Sequence, residues 1–154
     1  MRETFRANTT AYLDALNATE RSLSECVAKL PADDRAILTG HDDFDYLAKQ
    51  FGLKIVGQLA ETGESEPSAS DVQSAVDAAR KGGAKALVVS RGEVSQLAEQ
   101  VAKKLNIPLL QLYADSLAKS GAASTASGAV AYDLGQIVKA ASGGSVTCPP
   151  ARQP

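Results

Sequence analysis

Hydrophobic positions recur with helical spacing through the first thirty residues. Between residues 3 and 29 the apolar side chains are separated by steps of seven, four and three, which places them on one face of a long helix. The apolar positions of this stripe are Phe5, Tyr12, Leu16, Leu23, Val27 and Leu30. Proline disfavours helical geometry in the residue before it, so Pro31 predicts that the helix ends by Leu30.

Short apolar runs alternate with amphipathic segments along the rest of the chain. Four runs are typical of buried strands, at residues 36–38, 54–56, 86–89 and 108–112. Helical spacing predicts four further helices, at residues 43–51, 71–81, 93–105 and 129–141. Gly52, the pair Gly82-Gly83 and Asn106 follow three of them, where a left-handed cap is expected.

This alternation of strands and helices predicts an α/β fold with a parallel sheet covered on both faces. We therefore expect a three-layer, Rossmann-like lobe with a four-stranded parallel sheet over residues 31–142. The long helix, residues 1–30, precedes the lobe, and an irregular tail, residues 143–154, follows it.

Composition excludes several kinds of partner. The net charge of −2 provides no broad attraction to nucleic acid or to anionic lipid. With no Trp and 5% aromatic residues, the chain has no obvious surface for stacking bases, so we expect no nucleic-acid partner. No apolar run is long enough to cross a bilayer, and the first residues lack the apolar core of a secretory signal. The protein is therefore either cytoplasmic or exported by a leader that lies upstream.

The two cysteines, Cys26 and Cys148, lie far apart and show no spacing typical of a zinc site. In an oxidising compartment a disulfide between them would tie the tail to the first helix. In the cytosol they would remain two thiols, and the sequence leaves both alternatives open.

Candidate ligands follow the first and fourth predicted strands. The only histidine, His41, comes just after the first strand, and Asp115 comes just after the fourth. Parallel sheets bind ligands at the carboxyl ends of their strands, and this nitrogen and oxygen pair suits Zn²⁺ or Mn²⁺. The competing interpretation is structural: Asp42 or Asp43 would cap the next helix, and Asp115 would cap a short turn at 116–119.

Enzymatic alternatives lack their supporting motifs. A hydrolase could combine Ser90, His41 and Asp115, but Ser90 lacks the G-x-S-x-G context of a nucleophile elbow. A phosphoacceptor protein would need an acid after the third strand, where Ser90 stands. Neither glycine-rich nucleotide motif occurs, so we expect that the protein is not an enzyme.

Several stretches together resemble one family. "TGHDDFDYLAKQFGL", "EPSASDVQSAVDAARKGGAKALVV" and "NIPLLQLYADSLAKSG" are similar to segments of the zinc- and manganese-specific solute-binding proteins of ABC transporters. The resemblance covers roughly residues 3–142. The matching positions include His41, Asp42, Phe44, Tyr46, Gly52, Leu53, Glu66, Pro67, Ser68 and Asp115.

The resemblance implies that this chain is the C-terminal lobe of such a protein. In the family, four side chains from two lobes hold the ion, and His41 and Asp115 occupy the two positions of this lobe. The N-terminal lobe and its ligands are absent from this chain, so only weak Zn²⁺ or Mn²⁺ binding is expected. The family further implies an ABC transporter permease as partner and an extracytoplasmic location, in the periplasm or as a cell-surface lipoprotein.

Two departures accompany the resemblance: Gly40 replaces a common Ser, and Ser90 replaces a frequent acidic residue. The alternative function is a non-catalytic interaction module that keeps the fold without a metal role. Such a module would cover the apolar stripe of the long helix, and a homodimer through this helix is one way to do so.

Overall fold

In the part of the chain that the structure describes, four parallel strands form one sheet, in the order β2-β1-β3-β4. The protein is represented by a computed structural model, which describes residues 2–60 and 67–153. The strands are β1 (Ala36–Thr39), β2 (Lys54–Gln58), β3 (Leu87–Ser90) and β4 (Leu109–Leu112). The predicted four-stranded parallel sheet is therefore confirmed. Glu66, one of the residues that carry the family resemblance, lies outside the described residues.

Within the described ranges, five α-helices flank this sheet and form two separate cores with it. The helices are α1 (Arg2–Ala28), α2 (Asp45–Phe51), α3 (Ala69–Gly82), α4 (Gln96–Leu105) and α5 (Ala126–Ala141). Ile37 of β1 packs with α1, α2 and α5, whereas its neighbour Leu38 packs with α3 and α4. Successive side chains of a strand point to opposite faces, so both faces are apolar and three layers result. None of the described helices is long and apolar enough to cross a membrane.

Helix ends follow the predicted chemistry. Gly52, Gly83 and Asn106 are the C-caps of α2, α3 and α4, with φ values of 69°, 69° and 55°. The start of α4 differs from the prediction, because the Ser95 hydroxyl accepts a hydrogen bond from the Ala98 N–H and caps the helix there. Residues 93–95 therefore belong to the loop after β3, not to the helix.

Only the second half of α1 is buried. Leu23 and Val27 lie in the core at 0% and 1% exposure, packed with α5. Phe5 and Tyr12, which belong to the same predicted stripe, are 68% and 47% exposed. The stripe was correctly placed on one helix, but the helix extends past the core, and its first half has no cover among the described residues.

A disulfide joins the tail to α1. Cys26 and Cys148 are bonded, with their Cα atoms 5.4 Å apart. Val146 packs against the same core, and the backbone N–H of Arg152 donates to the Thr19 hydroxyl at 2.9 Å. Of the two alternatives that the sequence left open, the structure contains the oxidised one. Residues 143–153 of the tail form no helix or strand, but they are fastened to α1 at two points.

Candidate metal site

The carboxyl end of β1 brings His41 to the rim of the sheet. The Gly40 N–H donates to the Val88 carbonyl at 2.8 Å and extends the pairing with β3 beyond the end of β1. A Cβ at Gly40 would lie 3.1 Å from the Val89 side chain, closer than ordinary van der Waals contact. A side chain at this position would have to displace Val89 by a few tenths of an ångström, so glycine fits here without disturbing β3. The close approach also holds the backbone immediately before His41 against the neighbouring strand.

The His41 ring lies between two carboxylates. Nε2 is 2.7 Å from Glu93 Oε2, and Nδ1 is 2.6 Å from Asp43 Oδ1. The side chain of His41 is 15% exposed, that of Asp43 19% and that of Glu93 48%. One possible ligand atom from each of these residues lies within 4.8 Å of the others, so together they could hold a metal ion.

Ser90 fixes the orientation of Asp43. The Ser90 side chain is buried at the end of β3, and its hydroxyl donates to the second carboxylate oxygen of Asp43. Ser90 thus supports the site even though it replaces an acidic residue. The same bond argues against Ser90 as a nucleophile, since its proton is directed to Asp43 and not to His41.

The predicted capping roles of the aspartates are wrong. Asp42 and Asp43 form a short 3₁₀ turn between β1 and α2, and the N-cap residue of α2 is Phe44, without a side-chain cap. Residues 116–119 form no helical turn, so Asp115 caps none there.

Burial and charge act in opposite directions on His41. Burial lowers the pKa of the imidazole, because it disfavours the charged form. The hydrogen bond to Glu93 and the negative charges of Asp43 and Glu93 outweigh that effect, so the net result is a raised pKa. The site therefore favours a positive charge between the carboxylates, whether the charge belongs to a proton or to a metal ion.

Two buried polar atoms at this rim lack an aligned hydrogen-bond partner among the described residues: the Thr39 hydroxyl oxygen and Nδ1 of His41. Asp43 approaches Nδ1 closely, but not in a direction that completes a hydrogen bond. Buried polar groups without partners destabilise a fold by about 1–3 kcal/mol each. The carboxylates beside Nδ1 and Nε2 favour a cation at this rim.

Glu93 was missed from the sequence because it was assigned to the first turn of a helix. The predicted helix began at residue 93, on the strength of Val94 in its apolar stripe. Ser95 lies inside that stretch and is a favoured N-cap residue. Its hydroxyl accepts the N–H of Ala98, three residues later. This signal would have moved Glu93 into the loop after the third strand, where ligands are expected.

The structure does not bring Asp115 into contact with His41. Asp115 is exposed in the loop after β4, and the described group of candidate ligand atoms contains His41, Asp43 and Glu93 only. β4 lies beside β3, so Asp115 is at the same sheet edge as Glu93, one strand further along. Its role as a ligand stays a prediction.

The loops after β3 and β4 are joined by direct contacts. The Arg91 N–H donates to the Leu112 carbonyl at 2.9 Å, and the Arg91 guanidinium donates to the Tyr113 hydroxyl at 3.0 Å. The guanidinium carbon also lies 4.7 Å from the centre of the Tyr113 ring. From α5, the buried Asp133 accepts the Tyr113 N–H at 3.0 Å.

Comparison with known proteins identifies the family. Residues 1–140 match the family described as ZnuA, zinc-uptake complex component A, periplasmic. The chain belongs to the ZnuA family. It is 26% identical over 145 residues to the manganese-binding lipoprotein MntA of Bacillus subtilis, covering 90% of this chain and 47% of that protein. It is 31% identical over 117 residues to the iron-binding protein YfeA of Yersinia pestis, and this match covers 75% of this chain and 37% of that protein.

A solved structure shares this architecture. The manganese-bound form of a variant periplasmic metal-binding protein from Candidatus Liberibacter asiaticus superposes with a TM-score of 0.76 at 27% identity. The match covers 89% of this chain and 52% of that one. The chain thus spans about half the length, or less, of the relatives described here.

Membership of the ZnuA family confirms several sequence predictions. The family comprises solute-binding proteins of ABC importers for zinc, manganese or iron, and it is not enzymatic. The α/β lobe with a four-stranded parallel sheet and a long N-terminal helix is also confirmed. The resemblance read from the His-Asp-x-Phe-x-Tyr motif therefore named the correct family.

Proposed function

We propose that this lobe binds a divalent transition-metal ion, Zn²⁺ or Mn²⁺, at the rim of its sheet as cargo for an ABC importer. The observation that supports it best is the group formed by His41, Asp43 and Glu93, whose ligand atoms lie within 4.8 Å of one another. Imidazole nitrogen and carboxylate oxygen are ligands that both ions accept. Two relatives are named for binding manganese and iron, and both are transition metals, as this proposal requires of the ion.

In this proposal the ion takes the place of the proton between His41 and Glu93. Ligand atoms about 2.0–2.2 Å from a tetrahedral zinc ion lie roughly 3.4 Å apart. His41 Nε2 and Glu93 Oε2 are 2.7 Å apart, so Glu93 must move outward by less than about 1 Å. The half-exposed Glu93 side chain has room to do so. Asp43 remains beside Nδ1, where its negative charge favours a cation bound to the ring.

Asp115 is the further ligand that we propose from this lobe, as the family resemblance implies. It becomes a ligand by a movement of its exposed loop toward the rim. Because the relatives are about twice as long, the remaining ligands would come from a second lobe facing this edge of the sheet. With His41, Glu93 and Asp115 alone, water fills the other positions and the affinity is weak.

We further propose an extracytoplasmic location and delivery of the ion to a permease. The disulfide between Cys26 and Cys148 is typical of an oxidising compartment. Two of the relatives are described as a lipoprotein and as a periplasmic protein, which supports the same location. The mechanism is capture and release without covalent chemistry.

The test is calorimetric titration of the chain with Zn²⁺ and with Mn²⁺ at neutral pH. We expect weak binding that is lost in His41→Ala and reduced about tenfold or more in Glu93→Gln and Asp115→Asn. Matched controls are Glu99→Gln and Asp77→Asn, which remove the same charges from exposed positions on α4 and α3.

The outcomes separate the parts of the proposal. Binding at nanomolar concentrations that survives His41→Ala would refute the site. If Glu93→Gln weakens metal binding and Asp115→Asn does not, the metal role of the lobe stands but Asp115 is not a ligand. Equal effects of the site variants and the controls would show only general attraction of cations to an acidic surface.

A second candidate function is the non-catalytic interaction module. The observation in its favour is the uncovered first half of α1, where Phe5, Tyr12 and Leu13 are 68%, 47% and 50% exposed. Apolar side chains grouped on one exposed helix often mark a protein contact. Light scattering of the chain with and without Zn²⁺ tests it. A dimer that forms in both conditions and that Phe5→Ser dissociates favours this function.

A further inference from the structure

The two loops that carry Glu93 and Asp115 are built as one unit. Glu93 is held near the end of β3 by its own N–H, which donates to the Ser90 carbonyl at 3.1 Å. Arg91, two residues before Glu93, is bonded to the backbone of Leu112 and to the hydroxyl of Tyr113. Tyr113 lies two residues before Asp115. A displacement of either loop therefore disturbs the other.

Asp133 connects this unit to the helix layer below. It lies in α5, is only 2% exposed, and accepts the Tyr113 N–H at the point where β4 ends. Its neighbour Tyr132 packs edge-on against Tyr113, with ring centres 5.5 Å apart. A buried carboxyl destabilises a fold unless its interactions compensate. On a helix whose other inward residues are apolar, Asp133 is explained by its contact with this loop.

We propose that Asp133 is a positioning residue, which sets the loops of Glu93 and Asp115 in register through its bond to Tyr113 and the contact of Tyr113 with Arg91. The inference rests on the proposed metal site, since it gives Asp133 a role in that site. Groups that orient ligands from behind typically change metal affinity by about 10–100-fold when they are removed. Asp133 touches no proposed ligand and acts only by placing the backbone that carries them.

The experiment compares Asp133→Ala, Asp133→Asn and Ile137→Ala in the full chain. Asparagine keeps an oxygen that can accept the Tyr113 N–H, whereas alanine removes it. Ile137 is the matched control, because it is 1% exposed on the same helix and packs in the core, and its apolar side chain makes no hydrogen bond to either loop. Two quantities are measured: Co²⁺ affinity from its visible absorption, and amide hydrogen exchange of residues 91–93 and 113–115.

We expect Asp133→Ala to weaken Co²⁺ binding about tenfold or more and to speed exchange in both loops by a similar factor. Asp133→Asn should restore both to within about threefold of the natural chain, because the acceptor is kept. Ile137→Ala should destabilise the fold, yet its Co²⁺ affinity and loop exchange should also stay within about threefold of the natural chain. If Asp133→Ala does not fold, Arg91→Ala, at an exposed position, should loosen both loops in its place.

The two readouts distinguish failure of this inference from failure of the proposed function. If the natural chain gives no Co²⁺ absorption but both loops loosen in Asp133→Ala, the metal role is refuted and the positioning role stands. If metal binds and neither loop responds to Asp133→Ala or Arg91→Ala, the positioning role is refuted. Equal responses to Asp133→Ala and Ile137→Ala would likewise overturn it, because they would reflect stability alone.

Discussion

The buried carboxyl of Asp133 makes the stability of the lobe depend on pH. Burial raises its pKa from the ordinary 3.8 to about 7, against the opposing effects of the Tyr113 N–H and the positive charge of Arg91. A group with a raised pKa stabilises the folded state below its unfolded pKa, and that contribution is lost as the pH rises through the folded value. Each pH unit in between corresponds to about 1.4 kcal/mol. The natural chain should thus lose about 3 kcal/mol from Asp133 between pH 4 and pH 7, since the carboxyl titrates partly at both limits.

Asp133→Asn removes the titrating proton and keeps the shape. The amide can still accept the Tyr113 N–H, but it brings N–H donors into a buried position, which costs about 1–3 kcal/mol at every pH. We therefore expect Asp133→Asn to be less stable than the natural chain near pH 4.5 and more stable near pH 8. The difference in unfolding free energy between the two proteins should change by about 3 kcal/mol across this range.

The assay is urea unfolding followed by circular dichroism at half-unit steps from pH 4.5 to 8.5, with the disulfide intact. The contribution of His41, whose raised pKa gives a loss of stability in the same direction, is present in both proteins and cancels in the difference. Asp77→Asn, at an exposed position of α3, is the control and should run parallel to the natural chain. Parallel profiles for Asp133→Asn as well would refute the argument that Asp133 titrates near neutral pH.

Three further predictions use other features of the fold. Reducing the bond between Cys26 and Cys148 should lower the unfolding free energy by about 4–5 kcal/mol, because this disulfide closes a loop of more than one hundred residues. Urea unfolding curves with and without dithiothreitol measure the change. Gly128→Ala should destabilise α5 by more than about 2 kcal/mol, because its Cβ would lie 1.9 Å from a backbone carbonyl oxygen. Gly135→Ala, with nothing within 4 Å, should instead stabilise α5 by about 0.5–1 kcal/mol, and thermal melts that rank the pair the other way would contradict this. The Zn²⁺ affinity should fall as the pH drops through the raised pKa of His41, so a titration series that stays flat from pH 8 to pH 6 would exclude His41 as a ligand.

The strands and most helix ends could be predicted because their signals are local. Residues 87–89 are all apolar, which indicates a strand that is buried on both faces. Gly83 can adopt the left-handed conformation that the C-cap of α3 requires. Such features depend on neighbours within a few residues. The rim position of His41 followed from the same reasoning, since it depends only on where β1 ends.

The partners of His41 could not be predicted in the same way. Asp43 and Glu93 face the ring because of a 3₁₀ turn and a late helix start, each decided by a few hydrogen bonds. No local signal in the sequence shows that Asp133, a polar residue among the apolar residues of α5, is buried. Its burial depends on where β4 ends above it, which is a relation between segments twenty residues apart.

The fastening of the tail to α1 also decides how the lobe bears mechanical load. Tension applied between the start of α1 and the end of the tail passes through the covalent bond of Cys26 and Cys148. The strands and the helices between them lie inside the closed loop and carry none of it. Stretched from these two ends in an optical trap, the oxidised lobe would unravel only α1 and the last residues, and the sheet would begin to bear force only after the bond is reduced.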